Sequence, residues 1–327
     1  MTRRRAAAWA RVIVAPVLVV AILWWAEPGR VVHAVAGADP VWLLAGLAAS
    51  TLSNLVSAQR WRALAGWLGH RVDAATAAGV YFRAVAINAL LPGAIVGGDV
   101  YRAVMLNRRG LAALEAGLSV FLDRLSGLWM LVVLGIAAAA WGVAGTSAQA
   151  LVPATLRAPG AGALATLAAC VLMAPALAIV VLRRLGTALG TSRAPVAGWR
   201  ARVVAAAKRR GAWHQFALQL VASLAVQALS IAAFALAGRA VGIDLAAWSW
   251  AAAAVPVFLM ATLPVSFGGW GTREAAAVVA LSAFGVPLAP AVGASVLYGI
   301  FGLIQAAAGG LLLARDPQQT HRATVRQ

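Results

Sequence analysis

Two stretches of this chain place helix-breaking residues at matching points inside apolar sequence. The first is LPGAIVGGDVYRA, Leu91 to Ala103, and the second is LPVSFGGWGTREA, Leu263 to Ala275. With a one-residue gap, each reads Leu-Pro, a short spacer, Gly-Gly, three residues, Arg. Proline and glycine interrupt helices, so each stretch breaks a membrane helix. Interrupted helices at corresponding points of two halves are the strongest sequence pointer to a transporter binding site.

That the surrounding sequence belongs in a membrane follows from composition. Of 327 residues, 63% are hydrophobic and 11% charged, with a mean hydropathy of +0.86. A soluble domain carries about 25% charged residues. The net charge of +18 comes from 27 Lys and Arg against 9 Asp and Glu. In a soluble protein that excess suggests nucleic acid. Here it is interleaved with apolar runs, as in the cytoplasmic loops of a polytopic membrane protein, and no nucleic-acid motif accompanies it. Cys170 is the sole cysteine, so no disulfide or cysteine metal site forms within one chain. His33, His70, His214 and His321 are scattered without ligand spacing. Neither a metal nor a cofactor is implied.

A span needs roughly 20 apolar residues. Full spans are expected near 7–26, 41–58, 112–141, 161–182, 215–238 and 290–313, the first read as uncleaved. The two broken regions lie at 74–106 and 246–286. The basic residues form five groups: Arg3 to Arg5 with Arg11; Arg60, Arg62 and Arg71; Arg102, Arg108 and Arg109; Arg183 to Arg210; and Arg315, Arg322 and Arg326. The positive-inside rule puts all five in the cytoplasm. That holds only if each broken region enters and leaves on one side. The expected fold is therefore an all-α membrane protein of six spans and two oppositely facing re-entrant hairpins, an inverted pseudo-repeat. The hairpin tips fall at Leu91–Gly98 and Leu263–Gly271. A split helix crossing once is the alternative. Residues 1–315 form one transmembrane domain with a basic cytoplasmic loop at 183–211, residues 316–327 form a polar tail, and both termini are cytoplasmic.

Non-helical backbone at membrane depth needs cover from protein or a water-filled cavity, so the tips should meet inside the bundle. Asp99 follows Gly97-Gly98 as a candidate N-cap, with Arg102 one turn on. Arg273 and Glu274 follow Gly271-Thr272 in the same way. Asp123 and Arg124 are adjacent in an apolar run and cannot simply neutralise each other on a helix, so a further partner is required. Arg83 and Asn88 lie in the ascending arm of the first hairpin. The functional reading is an anion site: two half-helix N-termini aimed inward, Arg102, Arg124 and Arg273 as bidentate phosphate donors, the Gly97-Gly98 and Gly268-Gly269 pairs admitting a headgroup, and Asp99, Asp123 and Glu274 balancing charge in the empty site or carrying protons. The bland reading is that these charges pair and pin the hairpins. Arg108-Arg109 reads as a topology anchor, and Trp24, Trp25, Trp42, Trp61 and Trp67 as interfacial belts. Ser266 has no nearby histidine, and Gly-x-Ser-x-Gly and P-loop motifs are absent.

Three blocks, NALLPGAIVGGDVYR (Asn88 to Arg102), SVFLDRLSG (Ser119 to Gly127) and LPVSFGGWGTRE (Leu263 to Glu274), resemble the lysylphosphatidylglycerol synthase transmembrane-region family. The resemblance implies an integral protein of the bacterial or archaeal cytoplasmic membrane. In its best understood relatives this module is implicated in flipping an aminoacylated lipid, while a separate cytosolic domain transfers the amino acid. The chain stops at Gln327 without such a domain, so the expectation is a non-enzyme. The favoured function is flippase-like transport of an anionic lipid or lipid-linked intermediate, with membrane lipids as partners. An accessory subunit recruiting a lipid-modifying or glycosyl-transferring enzyme, and an intramembrane lipid-modifying enzyme, are the alternatives.

Overall fold

Chains this apolar satisfy their backbone within helices, and the described residues form helices without a strand. A computed structural model describes residues 28–90, 95–145, 160–189, 199–262 and 269–314. Among them are α1 (Pro28–Ala36), α2 (Pro40–Leu68), α3 (Ala74–Leu90), α4 (Ile95–Arg108), α5 (Ala113–Ala144) and α6 (Gly160–Leu189). The remainder are α7 (Trp199–Lys208), α8 (Ala212–Ala240), α9 (Ala247–Ala261), α10 (Thr272–Ser282) and α11 (Leu288–Ala314). Five of these, α2, α5, α6, α8 and α11, are long and apolar enough to cross a membrane. They match five of the six expected spans; the sixth, 7–26, lies outside the described residues. Large apolar side chains face outward on these helices, such as Leu44, Trp141, Leu177, Val221 and Leu311. In water such a surface would drive aggregation; in a bilayer it is the lipid-facing side.

Both broken regions are pairs of short helices. In each the break separates two helices that pack against each other, α3 on α4 and α9 on α10. The Leu-Pro residues and Gly268 fall outside the described residues. Within 183–211 the described residues are 183–189, where α6 ends at Leu189, and 199–211, which contain α7. Arg183 Nε donates to the Ala207 carbonyl at 2.7 Å, holding α7 against α6.

The two halves repeat one packing plan. Long, short, short, long describes both α2–α5 and α8–α11, and α2 and α8 are both 29 residues long. In the first half α3 packs on the far half's last helix, α11; in the second, α9 packs on α5. The α3–α11 seam closes at Gly309, where any side chain would strike the Phe82 carbonyl. The α9–α5 seam closes at Gly135, against Val255.

The halves are joined along α2 and α8, the most extensive helix contact. Asp39 N–H donates to Ala240 O (3.0 Å), and Gly46 abuts Ala233 O. Ser53 Oγ donates to Val226 O (3.1 Å), and Gln219 Nε2 to Arg60 O (3.3 Å). Each step advances seven residues on α2 and retreats seven on α8. The helices are therefore antiparallel, with the heptad seam of a left-handed coiled-coil pair. Small residues let them approach, as membrane helix pairs require. An antiparallel pair of equivalent helices is what an inverted repeat needs at its centre.

Candidate functional site: an arginine ladder and a cavity between the breaks

In the first half the charged residues form a continuous ladder. Asp123 on α5 accepts from two arginines: Arg60 Nε reaches Oδ1 at 2.9 Å, and Arg102 Nη1 reaches Oδ2 at 2.8 Å. Arg102 Nη2 then meets Asp99 Oδ1 at 2.7 Å. Asp99 Oδ2 in turn accepts from Arg124 Nε at 2.8 Å. The order is Arg60, Asp123, Arg102, Asp99, Arg124, drawn from α2, α4 and α5, and it carries one net positive charge. Arg60 also donates to Ser223 Oγ on α8 (3.0 Å) and to the Asp123 carbonyl (3.0 Å). Burial falls along the ladder. Arg60, Asp123 and Arg102 are buried, whereas the Arg124 side chain is 46% exposed. Arg102 lies over the Trp61 and Tyr81 rings at 5.5 and 5.0 Å, an arrangement that stabilises a desolvated guanidinium.

Several expectations change here. Arg60 and Arg102 belong to basic groups read as cytoplasmic, yet both are buried in the ladder, because α2 continues as helix to Leu68. Trp61 is not an interfacial belt residue; it is 1% exposed, packs under Arg102, and its indole N–H reaches Ser119 Oγ at 3.3 Å. Asp99 does not cap α4. The helix begins at Ile95, with Gly97 and Gly98 in its first turn. A first-turn N–H is instead met from α3, where Asn88 Oδ1 accepts from Gly98 N at 2.8 Å. A side chain at position 98 would collide with Asn88 and with the Ala84 carbonyl, so only glycine fits.

The second half solves the same problem locally. Glu274 Oε2 accepts from Gly271 N–H at 2.6 Å, in front of the first turn of α10. Its Oε1 accepts from Arg273 Nη2 (2.7 Å) and Nε (3.1 Å) and from Ser295 Oγ (3.1 Å). Arg273 Nε also approaches Ser295 Oγ at 3.3 Å, and the guanidinium lies 4.8 Å from the Trp270 ring centre. Adjacent residues do pair here, because a long glutamate at the helix start can fold back over its neighbour. Gly269 and Gly271 have φ of +85° and +84°, a region that favours glycine. Ser295 on α11 takes the place that Asp123 has on α5, as the acceptor for the arginine of the break.

The two halves meet at a cavity of about 230 Å³. Asn88 and Ala89 at the end of α3 line one side, and Ala261 and Thr262 at the end of α9 line another. Trp270 and Arg273 from the start of α10, Arg124 from α5, and Gly299 and Gly302 from α11 complete it. Residues flanking both breaks thus face one space. Of the ten expected site residues, only Arg124 and Arg273 line it. Arg102, Asp99 and Asp123 stand behind Arg124 in the ladder, and Glu274 stands behind Arg273. Gly98 and Gly269 shape the backbone away from the lining, Gly97 lies in the first turn of α4, and Gly268 is outside the described residues. Sequence reasoning passed over Arg60, Ser223, Trp270, Ser295 and Gly299. A signal for Arg60 existed: Ser53, Ser57 and Arg60 continue one buried face at helical spacing. Gly299 is needed because a side chain there would strike Arg273 and Trp270.

No group of three or more His, Cys, Asp or Glu suited to a metal occurs among the described residues. Chemically, the cavity offers two guanidinium groups, an amide, a hydroxyl and an indole ring. Those donors are of the kind that suits an anion, and the described lining residues include neither a paired general acid and base nor an activated nucleophile.

No curated protein matches the chain at a significant level. The Lysylphosphatidylglycerol synthase TM region family matches over residues 12–310, which takes in both breaks, the ladder and the cavity and is a membrane region without a catalytic domain. This multi-pass helical membrane protein therefore belongs to the Lysylphosphatidylglycerol synthase TM region family.

Proposed function

We propose that the protein transports an anionic, phosphate-bearing lipid, holding the headgroup between Arg124 and Arg273 while the acyl chains stay in the bilayer. The observation that carries this reading is the convergence of those two arginines, one from each half, on a cavity flanked by both helix breaks. Its volume is below the ~300–1,000 Å³ of sites that enclose a whole small molecule. It suits a headgroup fragment whose tails remain outside.

The ladder gives Arg124 its role. Asp99 already serves Arg102, so Arg124 can exchange Asp99 for an arriving phosphate without stranding a buried carboxylate. Its half-exposed side chain is the one ladder arginine able to turn. Arg102 and Asp123 hold Asp99 in place. Arg273, fixed by Glu274 and Ser295, is the stationary donor of the pair. Charge-assisted contacts to two guanidinium groups discriminate an anionic from a zwitterionic headgroup. In this reading residues 1–315 form one domain in the cytoplasmic membrane of a bacterium or archaeon. The basic groups outside the ladder face the cytoplasm, and the two short-helix pairs are the re-entrant hairpins.

Lipidomics with native mass spectrometry on gently purified protein tests the reading. Wild type is expected to retain a specific anionic phospholipid that a folded Arg124→Gln variant loses. Retention of bulk membrane lipids only, unchanged by the substitution, would overturn it.

A further inference from the structure

A second cavity lies at the opposite end of the α3–α4 pair. It measures about 550 Å³, more than twice the central one. Arg83 from α3 and Arg108 and Arg109 from the end of α4 line it, together with Thr76 on the first turn of α3 and Leu312 near the end of α11. No carboxylate is among its described lining residues.

The helix ends account for part of this charge. Arg83 Nε donates to the Leu312 carbonyl at 3.2 Å, and Arg108 sits in the last turn of α4. Each C-terminus carries about half a negative charge, and the N-terminus of α3 adds about half a positive one. Against three guanidinium groups and the Asp73 carboxylate just before α3, a surplus of roughly one and a half positive charges remains. The Asp73 Oδ1 accepts from Thr76 N–H at 2.8 Å, and its charge also acts on Arg109. Arg108 and Arg109 are exposed, so they are free to gather round a ligand.

We infer that this cavity is a second anion site, built for a phosphate group bearing one or two charges. Arg83, Arg108 and Arg109 are its donors, and the Thr76 hydroxyl is an added partner. Arginine suits this task because its planar fork matches phosphate oxygens bidentately. The site stands apart from the central cavity but shares two helices with it. Gly79 lines the outer cavity and Asn88 the inner, about 14 Å apart along α3. Leu312 and Leu303 mark the same two levels on α11. Between them Gly309 packs on the Phe82 backbone and closes the seam. The ligand is a lipid headgroup at the membrane face or a free phosphate from the aqueous side; the chemistry of recognition is the same.

The test titrates the purified full chain, in neutral detergent, with three probes: dihexanoylphosphatidylglycerol, dihexanoylphosphatidylcholine and inorganic phosphate. Native mass spectrometry reads the bound mass. Wild type, Arg108→Gln/Arg109→Gln, Arg83→Gln and Arg124→Gln are compared. An anionic probe should lose one binding event, or about tenfold in affinity, in the Arg108→Gln/Arg109→Gln variant and keep it in Arg124→Gln. Loss for phosphatidylglycerol alone assigns a lipid headgroup, and loss for inorganic phosphate as well assigns a free phosphate. The exposed pair is replaceable without unfolding, and Arg83→Gln gives an independent reading from another helix. Unchanged anion binding in both outer variants, or equal loss of phosphatidylcholine, would overturn the site. Because Arg124→Gln is scored separately, failure here is distinct from failure of the central cavity.

Discussion

The two breaks carry the same motif, but their arginines are held in different ways. Arg102 pairs with Asp99 on α4 and with Asp123 on α5, and through Asp123, Arg60 and Ser223 the ladder reaches into the other half. Arg273 is satisfied by its own neighbour, Glu274, and by one hydroxyl on α11. One substitution by place accounts for much of this: Asp123 in the first half, Ser295 in the second. The Asp123 carboxylate bridges and offsets two arginines, whereas the uncharged Ser295 hydroxyl accepts from one and donates to Glu274. The first half therefore carries an extended network that ends at an exposed guanidinium, whereas the second carries a closed cap. The two halves share one packing plan, but their arginines are held by different partners.

The sharpest way to break this comparison is to remove the bridging acid. Asp123→Ala leaves Arg60 and Arg102 buried around an empty centre and should cost about 3–5 kcal/mol of stability. Unfolding in detergent, followed by tryptophan fluorescence, measures it. A loss under about 1 kcal/mol would mean the ladder contributes little to folding.

Next comes a pair of glycines. Gly299→Ala drives a methyl group into Arg273 and Trp270 and should cost about 1–3 kcal/mol. Gly127→Ala, on α5, meets Arg60 nitrogens at an ordinary 3.5 Å. It should be neutral, or stabilising by up to ~1 kcal/mol, since alanine favours helix. Equal effects at the two positions would erase the proposed difference in packing around the two arginine clusters.

Ser295→Ala removes the counterpart of Asp123 and should cost only about 1 kcal/mol, because Glu274 still pairs with Arg273. The same unfolding measurement places it beside Asp123→Ala, and a cost as large as that of Asp123→Ala would contradict the division between network and cap. The smallest stability effect is expected for Arg124→Gln, within about 1 kcal/mol, since exposed ion pairs contribute little. A circular-dichroism melt checks that the variant remains folded.

Much of the fold was legible because its signals are long-range and redundant. Apolar runs long enough to span placed α2, α5, α6, α8 and α11, and Leu-Pro with Gly-Gly placed the breaks between α3 and α4 and between α9 and α10. The further partner demanded by adjacent Asp123 and Arg124 was also legible, and it is Arg60 with Arg102 for one and Asp99 for the other. What sequence missed depends on which way a helix faces. Arg60 sits in SAQRWRAL, where charge resembles a loop signal, yet α2 continues as helix and turns Arg60 inward. Trp61 was misread for the same reason. Asp99 was misplaced because α4 starts five residues earlier than a cap there requires. Gly299 and Ser295 are unremarkable in an Ala- and Gly-rich span, and only packing against α10 gives them a role.

Lipid translocation in proteoliposomes shows whether Arg124 and Arg273 together receive an anionic headgroup. Headgroup-labelled phosphatidylglycerol and phosphatidylcholine are compared by dithionite quenching, with wild type beside the folded Arg124→Gln variant. The account predicts protein-dependent movement of phosphatidylglycerol over phosphatidylcholine, reduced about tenfold or more by Arg124→Gln. Equal movement of both lipids, or full activity in the variant, would contradict it.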